Sequence, residues 1–385
     1  MRITKGDPLM NVLDAIGETP LVRFDRLAPP GSATLYAKWE ALNPGGSVKD
    51  RPARHLVQEA KRLGLLKPHG VIVEATSGNF GIALAMIGAV LGHRVVVVVD
   101  PKLPPAHRRV MEAYGAELVE VTQPDESGGY FRPRMETANR LAMEIDGAFR
   151  PDQHFSLMNA AAHYQETGPE ILAQTDGRLD YLVVAVSTAG QLRGLSEYFR
   201  QHSPGTRVVG VDAVGSGVFG GARHAYLQSG IGLAWPPSNL DLDLVDLMYK
   251  VEDRDAFATC RQLARCEGLL AGSSSGAVAF VGLHLSQQAD PDTRIVCVLS
   301  DTGQRYLETV YDDDWVAERG LDVSVSPAEL RDRAARLTPL PRQSVVDSVR
   351  SAEPFTPSYA PTTTAVLNKA ATQRMAPDSL PLAVV

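Results

Sequence analysis

The chain has 385 residues, 44% of them hydrophobic, enough to fill one large or two moderate cores, and two domains are the expectation. A net charge of −7 at pH 7 provides no basic stripe for a phosphodiester backbone, which argues against nucleic acid and for a small metabolite as partner. Its three cysteines, Cys260, Cys266 and Cys297, lack any CxxC or His/Cys ligand spacing, and its apolar runs are strand-sized, so disulfides, a metal site and a membrane span are not expected and a cytoplasmic protein is.

Strand-like and helix-like stretches alternate along the chain. Val71–Glu74 reads as a strand, Phe80–Leu91 as a helix, Val95–Asp100 as a strand, Ala106–Tyr114 as a helix and Glu117–Thr122 as a strand, the signature of βαβ units on a parallel sheet. Tyr181–Val186, Arg207–Asp212 and Arg294–Leu299 are further buried-strand candidates, each expected to lead through small residues into a helix. The fold class is therefore α/β with two open sheets flanked by helices, and a boundary is expected near residue 150. Beyond Ser326, eight of the 26 prolines and only Phe355 and Tyr359 as aromatics mark a C-terminal extension whose few apolar residues do not decide its structure.

Three loops that follow strands are rich in hydroxyls and small residues. Thr76, Ser77, Gly78 and Asn79 open a helix that is apolar nearly all round, so its free amides and positive dipole end face the loop and can cradle a carboxylate or phosphate. A plain serine N-cap with a glycine turn is the simpler alternative there. Ser187, Thr188, Ala189, Gly190 and Gln191 form a second such turn, and Ser273, Ser274 and Ser275 a third; strand C-termini in an open α/β sheet are where ligands bind. None reads GxGxxG or GxxxxGK[ST], so a nicotinamide dehydrogenase and a nucleotide triphosphate enzyme lack their fingerprints. One lysine, Lys49, stands in NPGGSVKDRPA (Asn43 to Ala53) just before a helix-like run. A lysine in a partly desolvated pocket loses its proton readily and can form a Schiff base, and pyridoxal phosphate offers both an aldehyde and a phosphate.

With these residues assembled, the chain resembles the fold-type II pyridoxal phosphate enzymes, the cysteine synthase and cystathionine β-synthase group, whose fold is that of the tryptophan synthase β chain. The resemblance runs through IGETPLVRF (Ile16 to Phe24), NPGGSVKDR, TSGN, HYQETGPEI (His163 to Ile171), the serine loop and LSDTGQRYLET as far as Trp315. It implies Lys49 as the Schiff-base lysine, Asn79 beside the cofactor's phenolic oxygen, Thr76, Ser77 and Gln153 on the substrate carboxylate, residues 187–191 around the phosphate and Ser274 as hydroxyl partner of the pyridine nitrogen. A neutral hydroxyl there leaves the ring a weaker electron sink, which suits β-replacement over transamination. The phosphate turn departs from the family's GTGGT: Ser187 and Ala189 replace glycines, and the alanine methyl restricts the backbone. The resemblance also implies a large cofactor-binding domain of 1–45 and 151–325, a small mobile substrate-binding domain of 46–150, an extension of 326–385, and a homodimer.

Ser187, VVDPKLPP, QPDESGGYFRPR, VDAVGSGVFGG and VYDDDWV make the chain similar to one branch of the group, the N-(2-amino-2-carboxyethyl)-L-glutamate synthases of 2,3-diaminopropionate and siderophore biosynthesis. That implies O-phospho-L-serine as donor, an α-aminoacrylate on the way and L-glutamate as nucleophile. It also implies Arg134 at the donor phosphate, since a guanidinium fork bonds two oxygens at once. Arg132 is either a helper or a solvated charge. The branch carries tyrosine where this chain has His154, which leaves the donor open. An O-phosphoserine or O-acetylserine sulfhydrylase shares every step up to the acrylate and is the alternative; a non-catalytic pyridoxal phosphate-binding regulator is the alternative of another class.

Overall fold

The computed structural model describes residues 9–126, 128–353, 355 and 362–377. In chain order the elements are β1 (Leu21–Arg23), β2 (Thr34–Trp39), α1 (Asp50–Arg62), β3 (Val71–Ala75), α2 (Asn79–Leu91), β4 (Arg94–Val99), α3 (Pro105–Ala113), β5 (Glu117–Glu120), α4 (Phe131–Glu144), β6 (Ala148–Phe149), α5 (Met158–Ala162) and α6 (Gly168–Gln174). There follow β7 (Tyr181–Ala185), α7 (Gly190–His202), β8 (Arg207–Ala213), β9 (Leu247–Val251), α8 (Asp253–Gln262), α9 (Ser273–Gln288), β10 (Arg294–Leu299), α10 (Asp313–Glu318), α11 (Pro327–Ala335), α12 (Arg342–Ser351) and α13 (Thr362–Arg374).

The chain divides into two compact units, one made of the described residues of 1–17, 43–165 and 356–385, the other of 18–42 and 166–355. The crossing points fall at residues 17/18, 42/43, 165/166 and 355/356, where the sequence places boundaries near 45, 150 and 325, and α13 belongs to the first unit.

The first unit holds a four-stranded parallel sheet in the order β5-β4-β3-β6. Val71, Val73, Val96 and Val98 turn one face onto Met135 and Ala138 of α4. A run of five valines in β4 fits because both sheet faces are covered, as parallel strands require. The apolar α2 is buried from Phe80 to Gly88.

The second unit holds a six-stranded sheet, β1-β2-β10-β7-β8-β9, parallel except for the antiparallel β1–β2 pair. Its core packs α8 and α9 on β2, β7, β8, β9 and β10, with Phe257, Phe280, Val278 and Val281 buried among Leu35, Val183, Val209 and Ile295. Burying a Phe or Val side chain contributes about 1.5–3 kcal/mol each, so this cluster outweighs any single polar contact in the unit. The expected helix after β8 is not formed: residues 214–241 run as turns and coil, carrying left-handed Gly215, Gly220, Gly221, Gly230 and Gly232, before β9. Five glycines in that backbone region over 18 positions are incompatible with a helix.

The C-terminal segment of the second unit is built into it. Leu340 donates its amide to the Met248 carbonyl at 2.8 Å and Arg342 Nη2 to the Leu242 carbonyl at 2.8 Å, so this segment is tied to β9, the last strand of the sheet, and to the turn before it. No helix among the described residues is long and apolar enough to cross a membrane.

Candidate active site

Within the first unit, Lys49 is half-buried at the N-cap of α1. The turn before it needs both glycines. Gly46 has φ +77, and Gly45 lies so close to Asp50 that a Cβ would overlap its carboxylate. Asp50, fully buried, accepts the Gly45 amide at 2.5 Å and closes the turn across the lysine. Ser47 Oγ accepts the Lys49 amide at 3.2 Å. Gly45→Ala is expected to destabilise the chain by about 2 kcal/mol through this overlap, measured as a lowered thermal midpoint; an unchanged midpoint would show that the turn is not tight.

At the C-terminal end of β3, Thr76 is buried and Ser77, Gly78 and Asn79 are partly exposed. Ser77 is not the helix cap: Gly78 holds that position, extended, and no side chain caps α2. The amides at its first turn therefore face the loop. Ser77 Oγ instead accepts from Arg134 Nη1 at 3.0 Å. Arg134 comes from the first turn of α4, and its Nε lies 3.1 Å from Asp100 Oδ2 at the end of β4. Burial lowers the Arg134 pKa from its ordinary value, opposed by Asp100 and Glu74, and the guanidinium stays charged. Arg132, two residues earlier, is exposed.

Gln153 and His154 lie on the loop after β6. Gln153 is buried, and its carbonyl accepts from Asn159 Nδ2 at 3.1 Å. The His154 ring meets Phe131 edge-on, with 4.9 Å between centroids. Burial, then the cations Arg134, Lys49 and Arg150, hold its pKa down to about 3, so it is neutral at any working pH. The repulsion also places Lys49, Arg134 and His154 within electrostatic reach of one another.

Behind the loop, fully buried Glu74 lies 3.8 Å from Arg150 Nε, and Arg150 Nη2 is 3.3 Å from Asp152. Burial pushes Glu74 up to about 7 against the pull of Arg150, with Asp152 adding to the rise. Between its ordinary value of 4.5 and about 7 the folded chain holds a proton that the unfolded chain has released, so stability falls as pH rises through that window. Glu74→Gln is expected to flatten this slope, read from thermal midpoints at pH 5 and 8 in parent and variant; equal slopes would show that Glu74 is ionised throughout.

In the second unit, the turn after β7 carries Ser187, Thr188 and Ala189 into α7. Ala189 adopts the left-handed conformation, φ +60 and ψ 0, that the sequence reads as a glycine position, with its methyl buried. The backbone bend is thus kept, at a cost of about 1–2 kcal/mol for an L-residue. No side chain caps α7. Gln191 Nε2 is buried with no hydrogen-bond partner among the described residues. Ser187 Oγ donates to the Gly232 carbonyl at 3.2 Å, and the Gly232 amide bonds the Val186 carbonyl at 2.7 Å. Of the three serines opening α9, Ser273 accepts the Ser229 amide at 2.7 Å and Ser275 that of Ser300 at 2.9 Å. Ser274, buried, makes no hydrogen bond to a described residue and lies against Gly230. The 229–232 loop therefore joins the two turns. The serine turn does not follow a strand as the sequence reading expects: it comes after α8, with only an isolated bridge between Ala271 and Thr302 before α9 opens. The signal for the 229–232 loop was the small-residue run SGIG, which pattern reading alone does not tie to Ser187 or Ser274.

Each unit thus carries equipment of an α/β enzyme with an anionic, carbonyl-bearing cofactor: a half-buried lysine on a glycine turn and an uncapped helix start in the first, an uncapped helix start and the unengaged Ser274 hydroxyl in the second. The sequence model of the pyridoxal-phosphate dependent enzymes matches residues 12–301, and the chain belongs to this family. It is 41% identical over 310 residues to the N-(2-amino-2-carboxyethyl)-L-glutamate synthase of Cupriavidus metallidurans, covering 80% of this chain and 91% of that one. Among solved structures, O-ureido-L-serine synthase is similar with a TM-score of 0.74 at 36% identity, over 84% of this chain and 99% of that chain. The cysteine synthase of Entamoeba histolytica is similar with a TM-score of 0.77 at 29% identity, over 87% and 97%.

The chain's own groups fit pyridoxal phosphate. The free amides at the start of α7, the Thr188 hydroxyl and the orphaned Gln191 amide suit a phosphate dianion. A neutral hydroxyl at Ser274, left free while its neighbours are consumed, suits an unprotonated ring nitrogen.

Proposed function

We propose that the chain catalyses a β-replacement in which O-phospho-L-serine and L-glutamate give N-(2-amino-2-carboxyethyl)-L-glutamate and phosphate. The observation that carries this reading is Arg134, held by Asp100 and bonded to Ser77 in the substrate-carboxylate loop. Its Nη2 bonds no described residue and is available to a donor's phosphate. The 41% identity to a synthase of that name supports the same choice.

Pyridoxal phosphate, when bound, supplies an electron-withdrawing ring that accepts charge from the donor's α-carbon. Residues 187–191 would hold its phosphate, Asn79 its phenolic oxygen, Ser274 its ring nitrogen and Lys49 Nζ its aldehyde. Thr76, Ser77, the α2 amides at Gly78 and Asn79, and Gln153 hold the donor carboxylate. Lys49 Nζ takes the α-proton; the β C–O bond breaks and phosphate leaves toward Arg134. The glutamate nitrogen then bonds the β-carbon and gives up a proton, and Lys49 Nζ returns one to the α-carbon. Neutral His154 offers a hydrogen bond to the leaving group without adding charge, and Ser187, tied to Gly232, can turn its hydroxyl to the same side. The unit built on 43–165 takes the part of the substrate-binding domain that the sequence reading bounds at 46–150, that of 18–42 and 166–355 the part of the cofactor-binding domain, and the working form is a homodimer in the cytoplasm.

The test is to offer the purified yellow protein phosphoserine with glutamate or with sulfide, following phosphate release and product mass. Phosphate release with a product of the glutamate adduct's mass is expected. A product with sulfide and none with glutamate would make the chain a sulfhydrylase; release with neither, a non-catalytic binder.

A further inference from the structure

Helix α13 lies beyond the matched segment 12–301, yet its side chains bond the loop that carries Gln153 and His154. Thr364 Oγ1 donates to Asp152 Oδ2 at 3.1 Å. Asn368 Oδ1 accepts the Leu157 amide at 2.7 Å, and its Nδ2 donates to the Phe155 carbonyl at 3.1 Å. These three bonds bracket residues 153 and 154 from both sides.

The loop needs such a hold. Asp152 is left-handed, φ +55, a conformation that a non-glycine residue keeps only where its surroundings enforce it. Its carboxylate is gripped by Arg150 on one side and Thr364 on the other. The helix is itself anchored: Leu367, Ala371 and Met375 are buried, Gln165 Nε2 donates to the Arg374 carbonyl at 3.2 Å, and Arg374 pairs with Glu59 of α1 at 3.3 Å.

We propose that α13 is a positioning element for donor recognition: through Thr364 and Asn368 it fixes the 152–157 backbone so that Gln153 meets the donor's carboxylate and His154 its leaving group. This rests on the roles given to those two residues under Proposed function. Thr364 and Asn368 bond Asp152, Phe155 and Leu157, so in this proposal both act through the loop. Preordering a loop removes conformational entropy from the binding step, so loss of the hold weakens donor binding and leaves the chemical step in place.

The test compares Asn368→Leu, Thr364→Val and the conservative Thr364→Ser with the parent, each as full-length holoenzyme. The donor KM is expected to rise about tenfold in Asn368→Leu and about threefold in Thr364→Val, with kcat within about twofold and Thr364→Ser at the parent value. Amide hydrogen exchange is expected to speed up in 152–157 and nowhere else. An unchanged KM in spite of faster exchange there, or exchange rising throughout with kcat falling alongside, would overturn the proposal. Should Asn368→Leu not fold, the Thr364 pair gives the same comparison. Should the parent refuse phosphoserine, Proposed function fails by itself, and the comparison runs with O-acetylserine, whose carboxylate Gln153 meets equally.

Discussion

Lys49→Ala is expected to lower turnover by roughly 10⁴-fold or more, because in the proposed mechanism one amine would serve both as covalent anchor and as the base that moves the α-proton. The alanine fits the site, since residue 49 has ordinary helical angles, φ −71 and ψ −15, and Asp50 and Gly45 close the turn without its side chain. The loss therefore reads as chemistry rather than unfolding. Borohydride reduction followed by digestion should leave the cofactor on the peptide of residue 49 in the parent and on none in the variant. Turnover within tenfold of the parent would remove Lys49 from the mechanism.

Arg134→Lys is expected to lower kcat/KM for phosphoserine roughly 10- to 100-fold while changing that for O-acetylserine less than about threefold. A lysine keeps the charge opposite Asp100 but not the planar fork that reaches Ser77 and Asp100 and leaves Nη2 for the proposed phosphate, and a hydrogen bond to a charged group is worth about 1.5–3 kcal/mol. The ratio between donors is the quantity to read, since any general loosening lowers both numbers alike. An equal fall for the two would make Arg134 a structural partner of Asp100 and nothing more.

Much of the fold is legible because β3, β4, β7, β8 and β10 are continuous apolar runs, the pattern of strands buried on both faces. β2 and β9 are hidden by their lysines. Lys38 is fully buried, its Nζ 2.6 Å from both Glu170 and the Thr19 carbonyl, and Lys250 Nζ reaches the Ser216 carbonyl at 2.6 Å. A cation neutralised from distant segments looks like a solvent-facing break in the run. α1 conceals itself in the same way, burying Asp50, Arg51, His55 and Glu59 on polar partners.

At the site, the strand-end loops and the lysine turn are local signals and could be read directly. The Arg134–Asp100–Ser77 arrangement could not, because β3, β4 and α4 must pack before the three meet. Thr364 and Asp152 stand 212 positions apart, and only the fourfold spacing of Leu367, Ala371 and Met375 hinted at a buried helix face.

The segment around Leu340 donates to Met248 on the last strand of the six-stranded sheet and so occupies one acceptor of that edge. A chain cut back to the boundary of the matched family region would keep Lys49 and the turns before α7 and α9 yet leave the Met248 carbonyl without this partner on the edge strand, where strands of like molecules can add. Shortening this protein to its family region is thus expected to raise its tendency to self-associate.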